Sequence, residues 1–329
     1  MLRRLARCRR RLSTAAAPTR SEPVCVHPTA VVEPGAVLGE DVHVGPFCVI
    51  GANAILGNGV RLDSHVRIDG HTSIGAGSMV HAFATLGAVP QDLKYAGEPS
   101  RLVIGERCRI AEYAHVSGGT AAGGSSTTSM GDGCFIMSHC HIAHDCVLGN
   151  DVLLASSAAL AGHVHVGDGA RISGYSCVHQ RVSIGEGSFV GGGSVLGHDL
   201  IPYGLALGNR AYLRSLNLTG LRRQRVPPTE LRLMLSAFRY LFGLPAHGIY
   251  APLALQSHAT IRERAAQVRA DVCDAPRLLQ LVDFVLGRRE IGSHSGAQTV
   301  NRALCLPSPH TAATSGVEQN ALDTLPSTG

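Results

Sequence analysis

Residues 137–146 read Met-Ser-His-Cys-His-Ile-Ala-His-Asp-Cys, and three histidines and an aspartate fall within the seven residues from His139 to Asp145. The same stretch belongs to a repeat in which every sixth residue is aliphatic. The aliphatic positions around it are Ile136, Ile142, Leu148, Leu154 and Leu160. A period of six is typical of a triangular solenoid, in which three six-residue segments complete one coil. The stretch therefore predicts a group of polar side chains carried on a solenoid.

The repeat also predicts which residues lie near these histidines. Residues eighteen apart occupy neighbouring coils and stack about 4.8 Å apart, the spacing between paired strands. Counting eighteen residues from His144 gives Gly162, and eighteen more gives Gln180. We therefore expect one corner of the solenoid to hold His141, His144, Asp145, Gly162, His163, His179 and Gln180.

The repeat extends on both sides of this stretch. The aliphatic positions run from Val26 to Leu86, resume at Ile104, Ile110 and Val116, and then run, two residues out of phase, from Met130 to Leu196. The two interruptions, at about 88–103 and 117–129, must loop out of the solenoid. Both precede the histidine stretch, so we expect them to wall a pocket there.

These patterns predict a mainly β fold, a parallel β-helix of hexapeptide repeats over residues 25–207, followed by a small α-helical domain over 208–290. In Thr229–Leu244 the apolar residues follow the helical spacing i, i+3, i+4, i+7, with Thr229 as the expected N-cap. Two weaker helices are expected at about 257–271 and 276–289. Residues 291–329 are rich in Ser, Thr, Gly, Ala and Pro and show no period, so we expect disorder there.

The composition fits a solenoid better than a packed globule. Of 329 residues, 45% are hydrophobic but only 4% aromatic, with no Trp and 39 Gly, and a narrow solenoid interior takes aliphatic and small side chains. No apolar run approaches the roughly 20 residues that a membrane helix needs. We therefore expect no membrane span.

Residues 1–24 contain seven arginines and one acidic residue, Glu22. An arginine-rich, acid-poor segment with Ser and Ala is typical of an organellar presequence, so we expect targeting to the mitochondrial matrix, with another organelle as an option. A basic tail that binds nucleic acid is the alternative. Without residues 1–24 the chain keeps 22 basic and 23 acidic residues, so its net charge gives no reason to expect a nucleic-acid partner.

Cysteines and most histidines have simpler explanations. Five of the ten cysteines lie four residues after an aliphatic position, where hexapeptide repeats place small inward side chains: Cys48, Cys108, Cys134, Cys140 and Cys146. We interpret them as core residues rather than metal ligands. Solvated turn positions explain His27, His43, His65 and His71.

Several motifs resemble the acyl-carrier-protein-dependent UDP-N-acetylglucosamine 3-O-acyltransferases of lipid A biosynthesis. The similar segments are Val26–Ala30, Gln91–Ser100 (QDLKYAGEPS), His141–Cys146 (HIAHDC), Leu160–His163, Val178–Gln180, Val190–Gly192 and Asn217–Arg223. They span roughly residues 25–290. The resemblance implies a left-handed β-helix, an (R)-3-hydroxyacyl group transferred from acyl carrier protein to UDP-N-acetylglucosamine, and no cofactor or metal.

The resemblance also implies roles for individual residues. His144 would be the general base for the sugar 3-hydroxyl, Asp145 would orient its ring, and the Gly162 N–H would face the thioester oxyanion. The implied substrate contacts are Asp92, Lys94, His141, His163, His179, Gln180, Asn217 and Arg223. At the position of Gly192, a residue without a side chain implies room for a long acyl chain, of the 3-hydroxymyristoyl class.

The chain departs from the family pattern at a few positions. Gln224 stands where a second arginine is usual, Thr219 where an acidic residue is usual, and His139 where Asn is usual. A His-Arg-Gly-Thr run is Ser117-Gly-Gly-Thr120 here. None of these departures touches His144 or Asp145.

The same residues allow two other interpretations and lead to one prediction about assembly. The H-x4-H spacing of His139 and His144 also suits a zinc enzyme of the γ carbonic anhydrase class, and a hexapeptide scaffold without catalytic activity is the third interpretation.

A corner site on a solenoid has no cleft of its own. We therefore expect a homotrimer with three sites between subunits, which the resemblance also implies.

Overall fold

The computed structural model describes residues 24–121, 126–245, 250, 259–287 and 303–307, so residues 1–23 of the predicted presequence lie outside the described part. Short parallel strands stack into three sheets, which form the faces of a triangular prism. Strands of neighbouring coils pair in the predicted register, as His141 does with Ala159. The predicted fold, a left-handed parallel β-helix with a small helical C-terminus, is confirmed.

Neighbouring strands within a sheet come from successive coils. In spatial order, sheet A contains β1 (Cys25–Val26), β4 (His43–Val44), β7 (Arg61–Leu62), β10 (Met79–Val80), β13 (Arg109–Ile110), β16 (Phe135–Ile136), β19 (Leu153–Leu154), β22 (Arg171–Ile172), β25 (Phe189–Val190), β27 (Gly204–Leu207) and β28 (Tyr212–Leu216). Sheet B contains β2 (Val31–Val32), β5 (Val49–Ile50), β8 (Arg67–Ile68), β11 (Thr85–Ala88), β14 (His115–Ser117), β17 (His141–Ile142), β20 (Ala159–Leu160), β23 (Cys177–Val178) and β26 (Val195–Leu196). Sheet C contains β3 (Val37–Leu38), β6 (Ile55–Leu56), β9 (His71–Ile74), β12 (Arg101–Ile104), β15 (Thr127–Met130), β18 (Val147–Leu148), β21 (His165–Val166) and β24 (Ser183–Ile184).

The core of the solenoid is the column of side chains inside the prism, and buried side chains of the helices continue it. The sixth-position aliphatics are its main members, and Ile136, Ile142 and Leu160 are fully buried. Each such side chain stabilises the fold by about 1.5–3 kcal/mol relative to an exposed one. The predicted core cysteines are buried with them, and burial raises the pKa of the Cys146 thiol to about 12. A thiol of that kind stays protonated and packs as a small apolar group.

Both long excursions leave the prism at the same edge, the corner between sheets B and C. The first connects the end of β11 at Ala88 to the start of β12 at Arg101, and the second connects the end of β14 at Ser117 to the start of β15 at Thr127. Glu98 links the two, because its Oε1 accepts a hydrogen bond from the Ala121 N–H at 3.3 Å. The excursions therefore project from the corner that also carries the histidine stretch.

The described helices follow the solenoid: α1 (Leu218–Arg223), α2 (Pro228–Leu241), α3 (Ile261–Asp271) and α4 (Pro276–Leu286). The predicted N-cap of α2 was wrong, because Pro227 holds that position and Thr229 lies in the first turn. Proline suits a helix start, where its missing N–H would have no partner. A capping box between Thr260 and Glu263 begins α3, and Gly287 in the left-handed conformation ends α4. No helix in the described ranges is long and apolar enough to cross a membrane.

A segment of the expected disordered tail is packed. Residues 303–307 lie against the last coil, where Leu304 forms a parallel bridge with Asp199 and Cys305 is buried. The N–H of Asp199 donates to the Ala303 carbonyl at 3.1 Å, and the N–H of Cys305 donates to the Asp199 carbonyl at 2.7 Å. The expectation of disorder was therefore wrong for this segment, because its backbone satisfies an open strand edge that composition does not reveal.

Candidate active site

The candidate site lies at the B–C corner, on the turns that follow β17 and β20. The turn after β17 carries His144 and Asp145, and the turn after β20 carries Gly162 and His163. The N–H of His163 donates to the His144 carbonyl at 2.9 Å, and the Arg181 N–H donates to the Gly162 carbonyl at 2.9 Å. The predicted stacking of residues eighteen apart at this corner is therefore confirmed.

His144 and Asp145 form a buried hydrogen-bonded pair. The His144 Nδ1 lies 2.9 Å from Asp145 Oδ2, and the two residues are only 6% and 5% exposed. Thr120 donates to both carboxylate oxygens of Asp145, and the Asp145 N–H donates to Thr128 Oγ1 at 2.9 Å. A carboxylate held by donors on both oxygens accepts the Nδ1–H of His144, which leaves Nε2 as a proton acceptor.

Gly162 supplies the space for the His144 ring. A Cβ at Gly162 would lie 2.5 Å from the ring Cε1 and 2.6 Å from Nε2, closer than real Cβ contacts come. Only glycine therefore leaves room for the ring, and this places the backbone of Gly162 next to it.

His163 packs edge-on against His144, with ring centroids 5.1 Å apart. Its Nε2 lies 3.8 Å from Asp145 Oδ2, and burial lowers the pKa of His163 in spite of that carboxylate. A neutral His163 imidazole can form hydrogen bonds beside the pair, and because it is uncharged it does not compete with His144 for the Asp145 carboxylate.

The first excursion brings Asp92 to the open side of the His144 ring. Its Oδ2 lies 4.0 Å from His144 Nε2, and its Oδ1 accepts the N–H of Lys94 at 3.0 Å. The side chain of Lys94 is exposed. Asp92 thus faces the nitrogen that acts as acceptor, while Lys94 lies in the solvent at the mouth of the site.

The structure does not bring all predicted members together. His141 lies on strand β17 of sheet B rather than on the corner turn, and its ring stacks on His115 at 5.1 Å. His179 and Gln180 are on the corner but exposed, one further coil along. The prediction that His141 shares the corner column was wrong, since three residues separate the strand position from the turn position.

Three other predicted residues lie at different corners. Asn217 caps α1, where its side chain accepts from the Gly220 N–H and donates to the Gly187 carbonyl at the C–A corner. Arg223 is exposed in the last turn of α1. Gly192 is exposed at the A–B corner, where a Cβ would meet its nearest atom, the Gly174 carbonyl oxygen, at 3.6 Å. One chain therefore divides the candidate residues among three edges of the prism.

Two residues near the site were missed in the sequence. Thr120 ends the Ser-Gly-Gly-Thr run, and the signal was that Gly119 and Thr120 keep the family's Gly-Thr while Ser117 and Gly118 replace its His-Arg. His115 stacks on His141 across paired strands. Twenty-six residues separate His115 from His141, instead of the eighteen of a regular coil, because the second excursion lies between them. The pairing of the two histidines can therefore be recognised only when the length of that excursion is known.

His144, Asp145 and His163 also meet the distance requirement for a metal site, with ligand atoms within 4.8 Å of one another. The hydrogen bonds argue for another use. Both oxygens of Asp145 accept from Thr120, and Oδ2 also lies at hydrogen-bond distance from His144 Nδ1. A metal would have to displace these donors, so the cluster fits a base and its orienting carboxylate better than a zinc site.

The chain is similar to known proteins over most of its length. Residues 127–162 match the family described as bacterial transferase hexapeptide (six repeats), and residues 199–292 match Udp N-acetylglucosamine O-acyltransferase; Domain 2. An acyl-[acyl-carrier-protein]–UDP-N-acetylglucosamine O-acyltransferase of Burkholderia lata is 52% identical over 217 residues, 66% of this chain and 82% of that protein.

Solved structures agree with these relatives. The UDP-N-acetylglucosamine acyltransferase of Campylobacter jejuni is 39% identical with a TM-score of 0.72, and the match covers 79% of this chain and 96% of that one. The Arabidopsis UDP-N-acetylglucosamine acyltransferase is 31% identical with a TM-score of 0.68, covering 83% and 99%.

The fold, the buried histidine–aspartate pair and these likenesses define a hexapeptide-repeat acyltransferase. Within that class, the chain belongs to the acyl-[acyl-carrier-protein]–UDP-N-acetylglucosamine O-acyltransferase family. The γ carbonic anhydrase interpretation is therefore replaced by this family assignment.

Proposed function

We propose that the chain transfers an (R)-3-hydroxyacyl group from acyl carrier protein to the 3-hydroxyl of UDP-N-acetylglucosamine, the first step of lipid A-type biosynthesis, with His144 as general base. The observation that supports this most directly is the buried His144–Asp145 pair, whose 2.9 Å hydrogen bond leaves Nε2 facing the first excursion. The names of the related proteins indicate the substrates, and the His144–Asp145 pair provides the general base.

A base is needed because a sugar hydroxyl is a poor nucleophile at neutral pH. His144 Nε2 takes the hydroxyl proton as the oxygen attacks the thioester carbonyl carbon, so a C–O bond forms and gives a tetrahedral intermediate, from which the C–S bond then breaks. The protonated imidazole then gives its proton to the departing sulfur, and acyl carrier protein leaves as the free thiol. Asp145 stabilises the positive charge that His144 carries between these events.

The oxyanion of the tetrahedral intermediate needs a donor close to the base. Gly162 lies next to the His144 ring, and we assign its N–H to this oxyanion. Asp92, 4.0 Å from Nε2, marks the side from which the sugar approaches and can accept one of its other hydroxyls. His163, neutral and half-buried, offers a further contact to the sugar or the acyl group.

The active form in this proposal is a homotrimer. The candidate sugar-nucleotide residues Asn217 and Arg223 lie at another corner of the prism than His144, so a second subunit is needed to bring them to the base. An exposed ladder of stacked rings, suited to such a contact, runs along the A–B corner: Phe47, His65, Phe83, Tyr113 and His139.

Acyl transfer by the purified full chain tests the proposal. Acyl carrier protein loaded with 3-hydroxyacyl groups of several lengths is mixed with UDP-N-acetylglucosamine, and the 3-O-acylated product is quantified. We expect product with the native chain and a roughly 10²- to 10⁴-fold lower turnover with His144→Ala. A folded native trimer without product would support the scaffold interpretation instead, and near-normal turnover of folded His144→Ala would reject the base.

Mixed trimers test the shared site. Subunits carrying His144→Ala and subunits carrying Arg223→Ala are each expected to be weakly active alone. After random mixing, roughly a quarter of the interfaces combine an intact His144 with an intact partner Arg223, and activity should return to that fraction. A fully active monomer in sedimentation, or no recovery on mixing, would contradict the shared site.

We also propose that residues 1–24 direct the chain to mitochondria, on the support of their seven arginines and single acidic residue. Residues 1–24 fused to a fluorescent protein should bring that protein to mitochondria, and the same segment with its arginines replaced by Gln should not. Location of the native fusion in the cytosol or another organelle would overturn the assignment.

A further inference from the structure

Asp145 is a buried carboxylate that depends on donors. It is 5% exposed, and burying such a charge is costly unless hydrogen bonds replace the water it has lost. The Thr120 N–H donates to Oδ1 at 2.9 Å and the Thr120 hydroxyl donates to Oδ2 at 2.6 Å. Thr120 is itself only 1% exposed. One threonine therefore engages both oxygens of the carboxylate that orients the base.

The second excursion is built to deliver Thr120 to this position. A Cβ at Gly119 would lie 2.1 Å from the Thr127 nitrogen, and a Cβ at Gly118 would lie 2.0 Å from Ser100 Oγ. The backbone of the excursion is thus in close contact with the neighbouring segments, and the Gly119 N–H donates to the Arg101 carbonyl at 3.1 Å. The Gly-Gly pair permits this close approach, which places the following threonine against Asp145.

Two donors on one carboxylate fix both its position and the plane of its oxygens. Oδ2 lies at hydrogen-bond distance from both the Thr120 hydroxyl and His144 Nδ1. A rotation of the carboxylate would therefore break the hydroxyl bond and turn the imidazole together. Since general-base catalysis depends on the direction of Nε2, the hydroxyl of Thr120 acts on the reaction through two other side chains.

We propose that Thr120 is a positioning residue for the acyl transfer: its N–H and hydroxyl hold Asp145, which in turn holds the His144 ring toward the sugar hydroxyl. The inference rests on the proposed function in that His144 is taken as the base. It assigns a specific role to Thr120, a residue of the second excursion that itself contributes no reacting atom.

The test compares Thr120→Val, which keeps shape and N–H but loses the hydroxyl, with Thr120→Ser, which keeps the hydroxyl. Thr72→Val is the matched control, because Thr72 is also 1% exposed and donates one 2.6 Å hydrogen bond, to the Asp69 carbonyl. We expect Thr120→Val to lower kcat about 10- to 100-fold with KM for UDP-N-acetylglucosamine little changed. Thr120→Ser should restore most of the rate, and Thr72→Val should lose none.

A second readout does not depend on turnover. In ¹⁵N-histidine spectra of the full chain, the Nδ1 proton of His144 should be visible in the native protein and Thr120→Ser and lost to exchange in Thr120→Val. If Thr120→Val keeps both this signal and a normal kcat, the inference is overturned. Absence of acyl transfer in the native chain would reject the proposed function alone, and the spectra would still decide whether Thr120 holds the pair.

Discussion

At the scale of single residues, the site depends on a glycine that makes room rather than on one that bends the chain. A Cβ at Gly162 would collide with His144 Cε1 at 2.5 Å. The ring is enclosed on one side by this backbone and on the other by Asp92 and His163. Its direction is therefore determined by packing as much as by the Asp145 hydrogen bond.

We expect Gly162→Ala to lower turnover by about two orders of magnitude, because a displacement of the base by about 1 Å is enough for such a loss. The matched control is Gly197→Ala, at the same corner two coils on, where no atom lies within 4 Å of an added Cβ. Turnover is measured together with the circular dichroism of both variants. Equal activity of the two folded variants would show that the ring tolerates the added methyl group.

Two half-buried histidines, His115 and His141, predict an acid limit to stability. Burial lowers the pKa of His115 and of His141, and the adjacent His115 lowers that of His141 further. Because the unfolded chain then binds protons first as the pH falls, the free energy of unfolding should be constant above the ordinary histidine value of about 6.5 and decrease below it. Thermal unfolding of native, His141→Gln and exposed-control His198→Gln proteins from pH 8 to 5 checks this: only His141→Gln should lose part of the acid dependence.

Residue-level prediction from the sequence succeeded where one period governed the position. His144, Gly162 and His163 share a corner because the six-residue repeat is uninterrupted between them. His141 was assigned to the wrong place because a strand position and a turn position differ by three residues within one hexad. The period could not place Thr120, since its contact with Asp145 crosses an excursion whose path no period describes.

At the scale of elements, the turns at the A–B corner bring together side chains that are far apart in the sequence, because the repeat places them at equivalent positions of successive coils. His65 was interpreted as a solvated turn residue, but its ring is stacked between Phe47 at 4.9 Å and Phe83 at 4.7 Å. All three residues adopt a positive φ near 60° at equivalent turn positions. The repeat placed them in one column. The expected exposed turn position of His65 is therefore confirmed, but its ring stacking was not predicted.

The same corner carries the position that we expect to limit acyl length. Gly192 is exposed, and a Cβ there would make only ordinary contacts, with the Gly174 carbonyl oxygen at 3.6 Å and Ser173 Cβ at 4.0 Å. Gly192→Met should therefore fold normally. Its neighbour Gly193 has a φ of +65°, so a side chain there would be strained and would confuse the test.

We expect native protein to prefer 3-hydroxymyristoyl-class donors and Gly192→Met to prefer shorter chains. Each buried methylene contributes about 0.8 kcal/mol, so a groove shortened by two or three methylenes should discriminate by one to two orders of magnitude. Rates are compared across a series of acyl chain lengths for both proteins. An unchanged length profile in Gly192→Met would show that another residue sets the limit.

At the scale of the whole molecule, the solenoid has an end that must be covered. The last strand position of sheet C is Asp199-Leu200, where Leu200 pairs with Ile184 of β24, and an open edge beyond it would invite association. Residues 303–307 cover part of it. The Leu213 N–H donates to the Leu306 carbonyl at 2.9 Å, and the Cys305 thiol donates to the Ala211 carbonyl at 3.2 Å. The segment lies beyond residues 199–292, which match the second domain of the family.

We expect this segment to contribute measurably to thermal stability, and two neighbouring side chains allow a matched test. Cys305 is 1% exposed and Leu306 is 50% exposed, so Cys305→Asp buries an unpaired charge whereas Leu306→Asp adds the same charge to the surface. A cost of about 1 kcal/mol lowers the unfolding midpoint by roughly 2–4 °C in a domain of this size, and burying a lone carboxylate costs at least that much. The unfolding midpoint of Cys305→Asp should therefore lie several degrees below that of the native chain and close to that of a chain truncated before residue 303. The midpoint of Leu306→Asp should stay within about a degree of the native value, because surface substitutions usually change stability little. Equal midpoints for the two substitutions would mean that the segment does not hold the last coil in solution.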